Sequence, residues 1–288
     1  MSTPGPAGGQ IHSDGLGIAY LDWGGDGEPL VALHPNGFCA GMYDPLVARL
    51  DDHYRVVGVD LRGHGASETV TDEARLGNDA MARDVLRVLD HLGIDRFALL
   101  GVSLGGGVAV IVAAEAPQRV VSLMLCEAIA LDPGEREKQG VPFEGAESPL
   151  VAGARRRRRV WDDQAGVEAS YGSRPPLDAL DPEGLSAYVR WGFVDRSDGR
   201  IELACDPETE ASIFSTTRPN GPTHSFERLA EVRCPTSVLC GSRTDLAPEW
   251  FDAQAEVLGV EAQVVDGGHF FLFEDLDRAA ALIRRALA

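Results

Sequence analysis

The sequence predicts an α/β fold in which a mostly parallel central sheet is flanked by helices, and two observations support this class. Short, near-continuous apolar runs alternate with segments of helical periodicity as far as Cys126, and the alternation resumes at Thr236. Runs of β-branched and aliphatic residues without a polar face are typical of parallel strands that are covered on both sides. The second observation is the interruption between the two stretches, which is too long for an ordinary connection and indicates an inserted segment.

Six apolar runs are predicted to be buried strands of this sheet. They are Leu30–Leu33, Val56–Asp60, Phe97–Leu100, Val120–Cys126, Thr236–Cys240 and Ala262–Val265. The predicted helices are Ala80–Leu92, Leu104–Ala114 and Asp277–Ala288. The first has one apolar face and a glycine stop at Gly93, whereas the second is apolar nearly all round, as expected for a helix packed centrally on a sheet.

The interruption runs from Ala130 to Leu229, where proline and glycine breaks replace the alternation of strands and helices. We predict that residues 130–230 form a mainly helical cap. The cap is inserted into one core domain, which consists of residues 1–129 and 231–288, and it is not expected to fold alone.

Composition and charge exclude several classes of function. The 288 residues carry 26 basic and 45 acidic side chains, and the formal net charge of −19 disfavours a nucleic-acid or membrane-surface partner. No apolar run approaches the ~18 residues of a membrane span, and the first residues do not resemble an export signal. Five cysteines without a CxxC pair fit a reducing cytoplasm and argue against a structural zinc site. The sequence therefore predicts a cytoplasmic protein without a metal.

A G-x-S-x-G segment, Gly101-Val102-Ser103-Leu104-Gly105, marks a candidate nucleophile. The motif is weak alone, but here it follows a predicted strand and opens a predicted helix, which is the placement of a nucleophile elbow. In such a turn the serine is held in a strained conformation that exposes its hydroxyl, while the glycines let neighbouring backbone pass. Ser103 is therefore predicted to be the nucleophile.

A serine hydroxyl needs a general base within hydrogen-bond reach, and His269 is the best placed of the seven histidines. It follows the predicted strand Ala262–Val265 through Asp266-Gly267-Gly268 and precedes the last helix. A loop at the carboxyl end of a parallel strand can bring an imidazole over Ser103. His64, in the turn Arg62-Gly63-His64-Gly65, is interpreted as structural.

Four segments taken together resemble the α/β-hydrolase superfamily, close to its capped esterases and dehalogenases. In chain order they are Leu33-His34-Pro35-Asn36-Gly37-Phe38, Asp60-Leu61-Arg62-Gly63-His64-Gly65-Ala66-Ser67, the elbow, and Gly267-Gly268-His269-Phe270. The resemblance covers about Leu30 to Glu127 and Pro235 to the end. It implies an α/β-hydrolase fold with an inserted cap, a Ser–His–acid catalytic triad and an oxyanion hole.

The resemblance also implies where the oxyanion donors lie. One is the backbone N–H of Leu104, directly after the nucleophile. The other comes from the loop after the first predicted strand, where many relatives have His-Gly and this chain has His34-Pro35. Proline has no N–H to donate, so we expect the second donor at Asn36, with Gly37 as the alternative.

Two carboxylates compete for the third position of the triad. Asp245 lies in the loop where relatives typically carry the acid, but the usual spacing from Gly241 and Pro248 falls on Thr244. Glu127 follows the fourth predicted strand, where haloalkane dehalogenases and zearalenone-type lactonases place their acid. A carboxylate buried there is costly without a partner, which a histidine would supply. We favour Glu127 and keep Asp245 as the alternative.

Serine at the elbow favours acyl chemistry, since dehalogenases and epoxide hydrolases need a carboxylate nucleophile. We therefore predict a hydrolase that cleaves carboxylic esters or lactones through an acyl-enzyme and needs no cofactor. A C–C bond hydrolase of ring-cleavage products and a non-catalytic ligand-binding protein are the alternatives.

The expected partner is a small and largely apolar substrate, because the cap supplies several aromatic side chains. Its pocket is predicted to be lined by Phe38, Met42, Trp161 and Trp191. The run Arg155–Arg159 is interpreted as a solvated helix face in preference to a site for an anionic substrate. Homodimerisation stays open.

Overall fold

An eight-stranded sheet lies at the centre of the computed structural model, which describes residues 5–50, 53–134, 148–215 and 220–288. The described strands are β1 (Ala7–Ser13), β2 (Leu16–Asp22), β3 (Glu28–Leu33), β4 (Tyr54–Val59), β5 (Phe97–Val102), β6 (Val120–Cys126), β7 (Val160–Trp161), β8 (Phe193–Asp195), β9 (Ile201–Leu203), β10 (Thr236–Gly241) and β11 (Ala262–Val265). Their order in the large sheet is β1-β2-β4-β3-β5-β6-β10-β11. β2 is antiparallel to both of its neighbours, whereas β3 to β6, β10 and β11 run parallel to one another.

The predicted fold class and all six predicted strands are confirmed. The hairpin of β1 and β2 is an addition that the apolar runs do not predict, because β1 is glycine-rich and mostly exposed. Its two-residue turn, Asp14-Gly15, has φ values of 54° and 74° and lies between the paired residues Ser13 and Leu16. An Asp-Gly pair is the usual sequence signal of such a turn, so the hairpin has a local cause.

Helices cover both faces of the large sheet. The described α-helices are α1 (Asp44–Val47), α2 (Asn78–His91), α3 (Leu104–Glu115), α4 (Pro149–Arg155), α5 (Gln164–Tyr171), α6 (Pro182–Trp191), α7 (Pro207–Phe214), α8 (Pro222–Arg228), α9 (Pro248–Leu258), α10 (Phe271–Glu274) and α11 (Leu276–Leu287). Alternate residues of β3 point to opposite faces: Val31 and Leu33 pack in a cluster with α2 and α3, and Leu30 and Ala32 pack with α10 and α11. Both faces are therefore apolar, which explains the unbroken apolar runs.

Between β6 and β10 the chain leaves the sheet and forms a segment that we call the insert, the described part of residues 130–230. It consists of α4 to α8 and a small antiparallel sheet with the order β7-β9-β8. Three of its helices are capped by the aspartates Asp163, Asp181 and Asp206, whose side chains accept an N–H of the first turn. Residues 135–147 and 216–219 of the predicted cap lie outside the described residues.

The last helix of the insert, α8, is fastened to the core by hydrogen bonds. Ser225 donates to the Gly107 carbonyl in α3 at 2.9 Å and accepts from the side chain of Asn78 at 2.8 Å. The neighbouring Phe226 packs against the apolar cluster beneath α3. Among the described helices, none is both long enough and apolar enough to cross a membrane.

Candidate active site

Ser103 lies in the turn between β5 and α3, above the carboxyl edge of the parallel strands. Its φ of 54° and ψ of −116° are a strained conformation for a residue with a side chain. Backbone hydrogen bonds on both sides hold it, from Ser103 N–H to the Cys126 carbonyl and from Ile129 N–H to the Ser103 carbonyl, each 3.0 Å long. A Cβ atom at Gly105 would come within 2.2 Å of the Leu33 carbonyl oxygen, so glycine is what allows α3 to approach β3 this closely.

His269 faces the serine from the loop after β11. Its Nε2 atom lies 3.0 Å from Ser103 Oγ and is placed to accept the hydroxyl proton. The loop reaches this position because it passes tightly over the end of β10, where a Cβ atom at Gly241 would come within 2.4 Å of the Gly268 carbonyl oxygen. Glu274 accepts the Gly268 N–H at 2.8 Å and so holds the loop from its other side.

Glu127 completes a chain of hydrogen bonds from the serine through the histidine. Its side chain is fully buried, and its Oε2 atom accepts from His269 Nδ1 at 2.8 Å. Its Oε1 atom accepts the Gly241 N–H at 2.6 Å. Asp245 is exposed and makes no hydrogen bond or ion pair within the described residues. Of the two carboxylates that the sequence leaves open, the structure brings only Glu127 to His269.

Thr244 is a residue of this site that the sequence analysis does not assign to it. Its hydroxyl donates to Glu127 Oε2 at 2.6 Å and accepts the N–H of Leu246 at 3.2 Å. The sequence does contain a signal for Thr244, because the spacing typical of relatives places their triad acid at this position. Here the hydroxyl of Thr244 supports a carboxylate that comes from a different strand.

The loop after β3, residues His34–Phe38, supplies the second candidate oxyanion donor, and we call it the β3 loop. Phe38 N–H donates to the Pro35 carbonyl at 3.2 Å. Within the described residues, neither the N–H of Asn36 nor the N–H of Gly37 donates to a backbone carbonyl. The N–H of Leu104, at the start of α3, also lacks an acceptor inside its helix. Asn36 therefore stays the expected second donor beside Leu104, with Gly37 as the alternative.

Two buried ionisable side chains lie behind the β3 loop. Burial lowers the pKa of His64 to about 4, and the nearby positive charge of Arg157 lowers it further. A ring nitrogen of His64 lies 3.1 Å from Asn36 Oδ1. Burial raises the pKa of Asp60 to about 6, although its carboxylate accepts two backbone N–H groups. At neutral pH His64 is therefore uncharged and Asp60 is mostly ionised.

The structure places the four predicted pocket residues in three different surroundings. Phe38 contacts the ring of Phe270, which in turn packs on His269, with centroid distances of 5.0 and 4.8 Å. Met42 is fully buried in the apolar cluster under α10 and α11. Trp161 packs inside the insert and donates to the Arg158 carbonyl at 2.8 Å, which assigns it to the insert's own packing and corrects the prediction of a pocket wall.

Trp191 also differs from its predicted role. It packs on Gly41 and lines a cavity of about 450 Å³ next to the hairpin of β1 and β2, to which Ser103, His269 and Glu127 do not contribute. The indole lies over a glycine because no larger residue fits there: a Cβ atom at Gly41 would come within 2.1 Å of it. Within the described ranges, no group of three or more His, Cys, Asp or Glu side chains is arranged to hold a metal ion.

Comparison with known proteins agrees with this architecture. A family model described as the alpha/beta hydrolase fold matches residues 28–148. The 3-oxoadipate enol-lactonase 1 of Acinetobacter baylyi is 37% identical over 253 residues, which are 83% of this chain and 80% of that protein. This chain belongs to the α/β-hydrolase family. The resemblance inferred from the four sequence segments is thereby confirmed.

Two further proteins match nearly the whole length of this chain. The dihydrolipoyllysine-residue acetyltransferase component of an acetoin cleaving system from Cupriavidus necator is 34% identical over 278 residues, 95% of this chain and 67% of that protein. The crystal structure of E-2-(acetamidomethylene)succinate hydrolase superposes with a TM-score of 0.81 at 18% identity, covering 98% of each chain. At this identity the superposition shows a shared fold.

Proposed function

We propose that this α/β-hydrolase cleaves a carboxylic ester or a lactone through an acyl-enzyme on Ser103. The observation that carries the proposal is the continuous path from Ser103 Oγ to His269 Nε2 and from His269 Nδ1 to Glu127, with distances of 3.0 and 2.8 Å. A base next to a serine hydroxyl, oriented in turn by a buried carboxylate, is the arrangement that activates serine at neutral pH.

In the proposed first step, Ser103 Oγ attacks the acyl carbon and His269 Nε2 takes the hydroxyl proton. The negative charge moves to the carbonyl oxygen, where the N–H groups of Asn36 and Leu104 would receive it. Glu127 holds the Nδ1–H tautomer of His269 and stabilises the imidazolium that forms. Collapse of the tetrahedral intermediate breaks the C–O bond, and His269 returns its proton to the leaving oxygen.

In the second step, His269 takes a proton from water, which attacks the acyl-enzyme. The bond between the acyl carbon and Ser103 Oγ then breaks, and His269 returns the proton to Oγ as the acid leaves. With a lactone the leaving oxygen stays tethered to the acyl group, and the product is a single hydroxy acid. From an enol-lactone the product is an enol acid, which tautomerises to the keto acid. Lactone cleavage is supported by the relative named as an enol-lactonase, since this chain matches four fifths of that protein's length. The proposed partner is accordingly a small acyl substrate.

The proposal is tested with a fluorophosphonate probe followed by a panel of p-nitrophenyl esters and lactones. We expect the probe to label the wild-type protein and to leave Ser103→Ala and His269→Ala unlabelled. We also expect turnover of at least one ester or lactone by the wild type alone. Absence of labelling in the folded wild-type protein would contradict catalysis by Ser103. Turnover of a vinylogous diketone without turnover of any ester or lactone would instead identify a C–C hydrolase.

A further inference from the structure

The arginine run of the insert is not a uniform solvated face, because one of its members turns inward. Arg155, Arg156, Arg158 and Arg159 are exposed, whereas the side chain of Arg157 is only 18% exposed. Its guanidinium group donates from Nη1 to Glu210 Oε2 at 2.5 Å. From Nη2 it donates to the hydroxyls of Tyr188 and Tyr171, at 2.6 and 3.1 Å. The interpretation as a solvated face is therefore corrected for this residue.

The charge of Arg157 is compensated inside the insert. Burial alone would lower the pKa of its guanidinium group, but Tyr188 and Glu210 outweigh burial and hold the pKa well above its usual value. Glu210 is itself nearly buried, with 9% of its side chain exposed, and it occupies one edge of the guanidinium fork. Because this carboxylate is already bound, the arrangement does not leave an open receptor for an anionic substrate.

Two partners of Arg157, Tyr188 and Glu210, form hydrogen bonds with the β3 loop. Tyr188 donates its hydroxyl to the Gly37 carbonyl at 3.0 Å, and the Glu210 carbonyl accepts from the Asn36 side chain at 3.0 Å. Gly37 packs closely against the Arg157–Glu210 ion pair, since a Cβ atom at Gly37 would come within 2.8 Å of Glu210 Oε1 and 3.0 Å of Arg157 Nη1. The φ of +77° at Gly37 also favours glycine at this contact.

The direction of these hydrogen bonds is determined by chemistry. Arginine can only donate, so the Tyr188 oxygen accepts from Arg157 and keeps its own hydrogen for the Gly37 carbonyl. The Asn36 N–H belongs to the Pro35–Asn36 peptide, two peptide units before the Gly37 carbonyl that Tyr188 holds, so its orientation depends on how this short stretch is held. An oxyanion donor is effective only when it points at the developing charge before the reaction begins.

We propose that Arg157 is a positioning residue for the oxyanion hole, acting through Tyr188 and Glu210 on the β3 loop. This inference rests on the proposed function, because it assumes that the Asn36 N–H stabilises an oxyanion. The inference gives the insert a role in the chemical step, in addition to any role in covering the substrate.

Two variants with matched controls test this role, each assayed with the best ester or lactone of the panel. Arg157→Met removes the donor, and its control is Arg155→Met. The Arg155–Glu208 ion pair also joins α4 and its flank to α7, but it is exposed and does not touch the β3 loop. Tyr188→Phe removes only the hydroxyl that binds Gly37, and its control is Tyr171→Phe, whose hydroxyl binds Arg157 but not the loop.

We expect Arg157→Met and Tyr188→Phe to lower kcat by about tenfold to hundredfold, since a displaced oxyanion donor loses part of its effect. KM is expected to stay within about threefold, as for an interaction made in the transition state. Inhibition by a trifluoromethyl ketone, which forms an oxyanion on serine, should weaken by a similar factor. Binding of a ketone-free substrate analogue should not weaken. Both controls should stay within about twofold of wild type, as expected for exposed or peripheral contacts.

Wild-type kcat in Tyr188→Phe would overturn the inference even if Arg157→Met fails to fold. A rise of KM at unchanged kcat in either variant would also overturn it, because it would mean a role in substrate binding. These failures are distinct from failure of the proposed function, in which the wild-type protein itself neither reacts with the fluorophosphonate probe nor turns over any substrate.

Discussion

The hydroxyl of Thr244 donates a 2.6 Å hydrogen bond to Oε2 of Glu127, the same carboxylate oxygen that accepts from His269. A carboxylate oxygen accepts, so the Thr244 hydroxyl hydrogen points at Glu127, while Thr244 Oγ1 accepts the N–H of Leu246. Glu127 is thus held by three donors in a fully buried position, the third being the Gly241 N–H. The loop after β10 supports the carboxylate without supplying one.

Replacing Thr244 by valine should weaken catalysis without removing any proposed catalytic group. Hydrogen bonds to charged groups contribute about 1.5–3 kcal/mol, so kcat/KM of Thr244→Val is expected to fall about tenfold to hundredfold. Thr244→Ser keeps the hydroxyl and should retain most of the activity. Thr236→Val is the control, since the hydroxyl of Thr236 binds the Cys234 carbonyl at the other end of β10. Equal activity of Thr244→Val and wild type would contradict the role.

Removing the charge of Glu127 should be far more damaging than removing that of Asp245. Glu127→Gln cannot stabilise the imidazolium of His269, and kcat is expected to fall by about 10³- to 10⁴-fold, as for other triads that lose their acid. Asp245→Asn should stay near wild type because its side chain is exposed. The measurement is turnover of the best ester or lactone, together with the rate of fluorophosphonate labelling. If only Asp245→Asn loses activity, the assignment of Glu127 is wrong.

The strained backbone of Ser103 should be detectable as a stability difference between two inactive variants. Ser103→Ala keeps the Cβ atom at φ 54° and ψ −116°, whereas Ser103→Gly removes it. Relief of the strain exceeds the greater chain entropy of glycine, so we expect the glycine variant to be more stable than the alanine variant by about 1 kcal/mol. Thermal unfolding of the two proteins measures the difference. An alanine variant that is equally stable would show that the turn is unstrained.

His64 and Asp60 should make opposite contributions to the pH dependence of stability. The pKa of buried His64 is lowered to about 4, so the unfolded chain binds the extra proton first, and stability is lost as pH falls from 6.5 towards 4. The pKa of Asp60 is raised to about 6, so the folded chain holds a proton that the unfolded chain releases. Its contribution therefore increases stability as pH falls from about 6 towards 3.8.

Urea unfolding of His64→Gln and Asp60→Asn between pH 7 and pH 4 separates these contributions. The loss of stability on acidification should be shallower than in wild type for His64→Gln and steeper for Asp60→Asn. Each difference in slope approaches about 1.4 kcal/mol per pH unit where one proton is at stake. Curves for the three proteins that run parallel across this range would contradict both pKa shifts, whatever the absolute stability of each variant.

Local patterns in the sequence were sufficient to predict the fold class. The six apolar runs predict the strands because both faces of a parallel sheet are buried, and the all-apolar Leu104–Ala114 predicts the central helix for the same reason. The hairpin of β1 and β2 escapes this rule because an exposed, glycine-rich edge strand needs no apolar run. Its signal is the turn pair Asp14-Gly15 alone.

Residues of the candidate site also differ in how far the sequence alone identifies them. Ser103 and His269 can be selected from the sequence because each is tied to a strand end and to a short motif. Asn36 and Gly37 cannot be separated in this way, since the choice depends on where each backbone N–H points relative to the substrate. Trp161 could not be assigned either, because an aromatic residue of the insert can pack inward or line a pocket with the same sequence context.

The order of the candidate catalytic residues along the chain follows from sequence motifs: a serine at an elbow, two candidate carboxylates, and a histidine after the last strand. The tertiary structure is what brings Glu127, and not Asp245, to His269 and joins Arg157 to the β3 loop. The physical reason is that hydrogen-bond partnership depends on distances between residues that are far apart in the chain, such as Glu127 and His269 or Tyr188 and Gly37. Periodicity and motifs report on local neighbours, and neither of these pairs is local.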